Sequence, residues 1–154
     1  FCLMSAAAQK FIAPLTFGAL SGQPVATDVW DGSLWKMAHL ESAGKADLYI
    51  IAPASTDCLA RLAAGMAGDI VAATASATKA PILIVPAMHE SMWLHPATQA
   101  NVDRLKSYGY HFAGPEHGAL LKGGTGWGRF AETQTIISEA KKILSGTIAQ
   151  GKIF

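Results

Sequence analysis

The side chains best suited to chemistry fall in a few short stretches of the 154-residue chain. Pro53-Ala-Ser-Thr-Asp-Cys58 follows an apolar run and opens a helical one, so backbone N–H groups, hydroxyls and a carboxylate are offered together to a polar ligand. The same spacing suits ordinary N-capping by Ser55, Thr56 or Asp57. Pro86-Ala-Met-His-Glu-Ser-Met-Trp93 sets His89, Met92 and Trp93 just beyond a second apolar run. An imidazole beside soft, aromatic surface fits a flat or sulfur-containing ligand, or else a loop folded onto core. His39 is of a residue type able to move a proton, although a lone histidine is more often structural. Gly123-Gly-Thr-Gly-Trp-Gly-Arg129 clusters glycines as an anion-binding loop would. No buried strand immediately precedes it and no Gly-Lys-Ser/Thr occurs, so neither nucleotide fingerprint is met. It reads as a flexible flap with Arg129 as a carboxylate clamp, or as a mobile surface loop. No Cys/His/Asp/Glu pair has zinc spacing, and no Gly-x-Ser-x-Gly elbow is present.

The elements that must position these residues follow from hydrophobic pattern. Asp47–Ala52, stopped by Pro53, and Pro81-Ile-Leu-Ile-Val-Pro86 predict strands buried on both faces of a parallel sheet. Between them Leu59, Leu62, Ala63, Met66 and Ile70 recur at helical spacing, so the segment reads as a crossover unit. Phe1–Met4 predicts a strand, followed by an alanine-rich helix with Ser5 at the N-cap position. Pro14 lies near a possible break, and Ser21-Gly-Gln-Pro24 ends the helical stretch. Val25–Trp30 predicts a short strand and Asp31-Gly-Ser33 a loop; Ala97–Lys106 predicts a helix and Tyr110–Ala113 another short strand. Pro115–Thr133 shows little apolar periodicity and predicts a long loop, of a length that more often serves as a lid than as filler. Ile136, Ile137, Ala140, Ile143 and Leu144 predict a final amphipathic helix closed by Gly146. The fold class expected is α/β: a three-layer, Rossmann-like (flavodoxin-like) parallel sheet with helices on both faces, in a single domain over 1–154. Ligands in such sheets sit beyond the carboxyl ends of the strands, where the two proline-headed stretches lie.

Composition narrows the function classes. Hydrophobic residues make up 51% of the chain and charged ones only 15%, leaving a plain surface suited to partial cover by other subunits. The net charge is +1 and no Lys/Arg run occurs, which argues against nucleic acid and anionic membrane as partners. Apolar stretches such as Ile70–Ala73 and Ile82–Val85 fall far short of the roughly 20 residues of a membrane span. No signal peptide is expected. Cys2 and Cys58 make neither a disulfide framework nor a metal set, so a reducing, cytoplasmic setting is expected and no metal. The start at Phe1 predicts a fragment or a processed terminus.

Taken together, these stretches resemble the flavin-dependent cysteine decarboxylases over nearly the whole chain. That family includes phosphopantothenoylcysteine decarboxylase and the peptidyl-cysteine decarboxylases of lantibiotic and thioamide-peptide biosynthesis. Phe11-Ile-Ala-Pro-Leu-Thr-Phe-Gly-Ala-Leu-Ser-Gly22 is similar to the family's early helix, and Met37-Ala-His39-Leu with Ala46-Asp47 to the segment carrying its active-site histidine. Pro53-Ala-Ser-Thr-Asp-Cys58 resembles its flavin-contacting Pro-Ala-Ser-Ala-Asn-Thr motif, departing at Thr56, Asp57 and Cys58. Pro86-Ala-Met-His-Glu-Ser-Met-Trp93 resembles its Pro-x-Met-Asn-x-x-Met motif, with His89 in place of the substrate-binding asparagine. Each motif is weak alone; their combined order is specific.

The resemblance implies FMN as cofactor, held by Ser5, Phe11, Pro53, Ala54, Ser55, Thr56, Asp57, Cys58, Ala87 and Met88. It implies His39 as the catalytic residue and places His89, Met92, Leu121, Lys122 and Arg129 on the substrate, with residues 115–133 as a substrate-covering flap. It further implies homo-oligomers, trimers or multiples of trimers such as dodecamers. The family's opening strand and Gly-Ser-Ile-type turn, which contribute to flavin phosphate binding, are expected before Phe1.

The flap carries the most informative departure. Phosphopantothenoylcysteine decarboxylases resemble Ala-Cys-Gly-Asp-x-Gly-x-Gly-Arg there, whereas this chain has Leu121-Lys-Gly-Gly-Thr-Gly-Trp-Gly-Arg129. In the family that cysteine serves the reduction of an enethiol intermediate, and Lys122 has no thiol hydrogen to donate. The implied reaction is therefore oxidative decarboxylation of the C-terminal cysteine of a precursor peptide to an aminoenethiol. His39 would help remove the thiol proton as hydride leaves the β-carbon for the flavin, and carbon dioxide then departs into the thiocarbonyl so formed. Arg129 or Lys122 would attract the substrate carboxylate. Two other readings stand beside this one: the phosphopantothenoylcysteine decarboxylase of coenzyme A biosynthesis, and a non-catalytic regulatory subunit of the same fold, against which His39 argues.

Overall fold

The apolar runs become parallel strands in a computed structural model that describes residues 1–30, 37–119 and 123–149. Strand β1 (Cys2–Leu3) pairs in parallel with β2 (Val25–Ala26), Cys2 opposite Val25. The alanine-rich segment between them departs from expectation. Ser5 does cap it, its Oγ accepting the Ala8 N–H at 3.2 Å, but only a 3-10 turn, Ala8–Lys10, forms. The residue before a proline avoids helical backbone, and Ala13 accordingly sits extended, so the turn does not propagate. Pro14 instead opens α1 (Pro14–Ser21), where its fixed φ suits the first turn. Helix α2 (Ala38–Lys45) buries Ala38, Ser42 and Ala43.

Strand β3 (Tyr49–Ala54) runs on through Pro53, with a cis Ala52–Pro53 bond, instead of stopping before it. Its register against β4 (Ile82–Pro86) slips between Ile51 and Ala54, so the missing proline N–H falls where the ladder is already interrupted. All of β4 is buried, as expected, but β3 is not: Ile50 is 41% exposed. The difference is position, since the strand order β3-β4-β5 puts β4 in the centre and β3 at an edge of the described sheet.

The single helical spacing from Leu59 to Ile70 resolves into α3 (Thr56–Ala63) and α4 (Ile70–Ala77). Gly65 adopts φ +68, a backbone closed to most side chains, and Asp69 starts a new helix by accepting the Ala72 N–H at 2.8 Å. Met66 falls in the gap and is exposed.

A short α5 (Glu90–Trp93) leads to α6 (Pro96–Ser107) and to β5 (His111–Phe112), which joins β4 in parallel, Leu83 opposite His111. The predicted long loop is instead an antiparallel hairpin of β6 (Glu116–Ala119) and β7 (Thr125–Arg129), with His117 opposite Trp127. Its strand signal is hidden because the inward positions of β7 are Gly126 and Gly128, while Thr125, Trp127 and Arg129 face out. Alternation exists, but no apolar residue reports it. Helix α7 (Thr133–Ala149) continues through Gly146, which weakens an exposed helix without ending it.

The chain forms two compact units: Phe1–Ala46 with Gly65–Lys79, and Asp47–Ala64 with the chain from Ala80 onward. In the first, Ala26, Ala38 and Ile70 pack with Leu3, Val29 and Val71, and the Thr78 hydroxyl donates to the Ala43 carbonyl at 3.1 Å. In the second, Leu83 and Val85 from one face of β4 meet Ala113, Ala131 and the α7 residues Ile136, Ala140 and Ile143. Ile82 and Ile84 alternate to the other face and are buried as well. Parallel strands layered with helices give the α/β class expected from the sequence.

Candidate functional site

In the second unit, the carboxyl ends of β3 and β4 are stitched together. The Ala87 N–H donates to the Ala54 carbonyl at 3.1 Å, and the Thr56 hydroxyl donates to the Met88 sulfur at 3.3 Å. Thr56, Ala54, Ala87 and Met88, all expected at a cofactor, are thus brought side by side. Ser55 caps α3, its Oγ accepting the Cys58 N–H at 3.3 Å, so the capping reading holds for it. Asp57 pairs with Arg61 one turn on at 2.7 Å, which offsets a carboxylate otherwise hostile to an anion at a helix start. Pro53 is exposed and Cys58 is a half-buried thiol. A wall of small side chains beside a hydroxyl and the opening N–H groups of α3 suits a planar ring with polar edges, and these residues fit a flavin.

His89 caps α5. Its Nδ1 accepts the Ser91 N–H at 3.3 Å and lies 2.9 Å from the Ser91 hydroxyl. Accepting through Nδ1 leaves the neutral ring's proton on Nε2, which makes His89 an outward hydrogen-bond donor much as an asparagine amide would be. Met92 is 46% exposed on the same turn. Arg129 pairs with Glu132, and its stem lies over Gly118, where a Cβ would sit 2.6 Å from the Arg129 Cδ. Leu121 and Lys122, expected at the substrate, lie outside the described residues.

The hairpin is fixed to this turn by contacts that the sequence reading missed. The Met88 N–H donates to the Gly128 carbonyl at 3.0 Å, and the Trp127 N–H donates to Glu90 Oε1 at 2.8 Å. Gly128 has φ +125 and lies so close to the Met88 carbonyl that a Cβ there would overlap it. The available signal was the Gly-x-Gly alternation around Trp127, at a strand period.

Ser5, Phe11 and His39 belong to the first unit. The Ser5 hydroxyl is engaged by the Ala8 N–H, and the Phe11 ring is 92% exposed. His39, on α2, lines a cavity of about 400 Å³ with Trp30, Met37, Leu40 and Ser76. Its Nδ1 is buried and has no hydrogen-bond partner among the described residues. A buried imidazole nitrogen left without a partner is unfavourable, and the cavity that His39 lines has the volume for a small molecule. No group of three or more His, Cys, Asp or Glu among the described residues could hold a metal ion. No helix among them is long and apolar enough to cross a membrane.

A model of the Flavoprotein family matches residues 1–145. The coenzyme A biosynthesis bifunctional protein CoaBC of Mycobacterium tuberculosis (strain ATCC 25618 / H37Rv) is 42% identical over 137 residues, 89% of this chain and 32% of that protein. CoaBC of Vibrio cholerae serotype O1 is 39% identical over 151 residues, 97% of this chain and 38% of that protein. The chain therefore spans about a third of the length of the curated relatives it matches. Among solved structures, the FMN-dependent cysteine decarboxylase SpaF is 32% identical with a TM-score of 0.78, over 93% of this chain and 78% of SpaF. A PPC decarboxylase mutant complexed with pantothenoylaminoethenethiol shares the fold, with a TM-score of 0.79 at 24% identity over 93% of this chain and 81% of that one.

Proposed function

The chain belongs to the Flavoprotein family, and from that premise we propose that it uses FMN to decarboxylate a substrate ending in cysteine, namely 4′-phosphopantothenoylcysteine. The observation that carries the chemistry is that His39 lines an apolar cavity of the first unit while its buried Nδ1 has no hydrogen-bond partner among the described residues. The choice of substrate is supported by CoaBC relatives named for coenzyme A biosynthesis, which moves the precursor peptide expected from the sequence into second place.

FMN supplies the two-electron oxidant that lets a carboxylate leave from beside a thiol. Ala54, Thr56, Ala87 and Met88 would hold it in the second unit. His39 accepts the thiol proton. His89 donates through Nε2 to the substrate, and Met92 gives its thioether chain soft contact. Arg129 attracts the carboxylate, while its pairing with Glu132 keeps that grip moderate. A firm grip on a departing carboxylate would stabilise the ground state and slow the reaction. The hairpin covers the substrate, and the chain works as a cytoplasmic homo-oligomer, which its 15% charged content suits.

The peptide reading keeps one specific support: Lys122 stands at the flap position where a thiol would complete reduction of the enethiol. The two are separated by incubating flavin-loaded protein with 4′-phosphopantothenoylcysteine and, separately, with cysteine-terminated peptides, followed by mass spectrometry. Consumption of the first substrate supports the proposal; consumption of peptides alone overturns it in favour of the second reading. Loss of carbon dioxide together with two hydrogens identifies an enethiol product. His39→Ala should keep the flavin spectrum and lose about 10²–10⁴-fold in turnover, the usual range for a general base. A protein that remains colourless on addition of riboflavin phosphate contradicts the whole reading.

A further inference from the structure

The turn bearing His89 and Met92 is joined to the hairpin by one side chain that neither the resemblance nor the proposed chemistry uses. Glu90 directs Oε1 at the Trp127 N–H, 2.8 Å away, across a separation of 37 residues. Its carboxylate lies flat on Gly126: a Cβ there would sit 2.6 Å from Oε1 and 2.8 Å from Oε2. The neighbouring link, from the Met88 N–H to the Gly128 carbonyl, is backbone only and would survive most substitutions. At its other end the hairpin is pinned by Glu116, whose Oε1 accepts from the Glu132 N–H and the Thr135 hydroxyl, both at 3.1 Å. Among the described residues, Glu90 is thus the side-chain hydrogen-bond tie on the edge that meets α5. Its carboxylate accepts from a backbone amide, and such charge-assisted bonds are about twice as strong as neutral ones.

We propose that Glu90 is a positioning residue that seats β7 on the α5 turn, so that the hairpin and the substrate-facing side chains of that turn move as one piece. The inference rests on the reading of the hairpin as the substrate cover. It requires no contact between Glu90 and the reacting atoms.

The test uses the flavin-loaded protein and the variants Glu90→Ala, Glu90→Gln and Gly126→Ala. Hydrogen exchange is followed in the segment containing Trp127, and KM and kcat are measured with 4′-phosphopantothenoylcysteine. In Glu90→Ala the Trp127 amide should exchange about tenfold faster or more, the scale set by one charge-assisted hydrogen bond. KM should rise by about tenfold on the same scale, with kcat within a few-fold and flavin content unchanged. Glu90→Gln keeps an acceptor and should recover most of both effects. Gly126→Ala leaves Glu90 in place but pushes its carboxylate aside, and should reproduce the Glu90→Ala pattern. Unchanged exchange at Trp127 in both alanine variants overturns the tie, and faster exchange with unchanged KM overturns its role in positioning. Should the wild-type protein turn over neither this substrate nor cysteine-terminated peptides, the proposed function fails while the exchange data still decide whether Glu90 holds the hairpin.

Discussion

The Thr56 hydroxyl donates to the Met88 sulfur across 3.3 Å, joining the residue that opens α3 to one that follows β4. A thioether is a weak acceptor, so this bond positions more than it stabilises. Thr56→Val keeps the shape and removes the donor. It should lower unfolding free energy by less than about 1 kcal/mol in urea titrations, while weakening FMN severalfold in a fluorescence-quenching titration. A large stability loss with unchanged flavin affinity would assign the bond to the core instead.

Leu83 is fully buried between β4 and α7, and its truncation leaves a void that neighbouring strands are too constrained to fill. Leu83→Ala should cost about 2–5 kcal/mol in chemical denaturation. Ile137, on the same helix but 39% exposed, provides the control, and its alanine variant should lose far less than Leu83→Ala in the same titration.

Burial pushes the Cys2 thiol above its ordinary range, because the thiolate is harder to form away from water. Alkylation of Cys2 by iodoacetamide should therefore keep accelerating above about pH 8.5, where a free cysteine would be levelling off. The sign for stability follows. The folded state holds the proton more tightly than the unfolded one, so this contribution is complete below the unfolded pKa and is lost as pH rises through the folded one. A plateau in the labelling rate near pH 8.5 would remove the argument.

The parts of this fold that were legible in the sequence are those where side chains do the folding. The run Ile82-Leu-Ile-Val85 between prolines announces a central strand because each residue has an apolar neighbour to meet on either face. Leu59, Leu62 and Ala63 announce α3 for the same reason. Legibility failed where backbone decides. Glycine carries β7, so its inward face is silent; Gly65 breaks a helix whose apolar spacing happens to run on through Met66; Ala13 before Pro14 stops a segment of excellent helix formers. The site divides likewise. Ser55 at a helix start was visible from residue type and order. The grip of Glu90 on Trp127 was not, because a contact between positions so far apart has no local signature.

The hairpin's pattern of empty inner positions has a consequence for how this strand tolerates change. Gly126 and Gly128 admit no replacement without displacing Glu90 or Met88, yet Thr125, Trp127 and Arg129 project outward from the same strand. One strand therefore separates, residue by residue, the positions that packing fixes from those that it leaves open. Under the proposed function, in which the hairpin covers the substrate, a new substrate would be met by exchanging outward groups while the glycine positions beneath stay as they are.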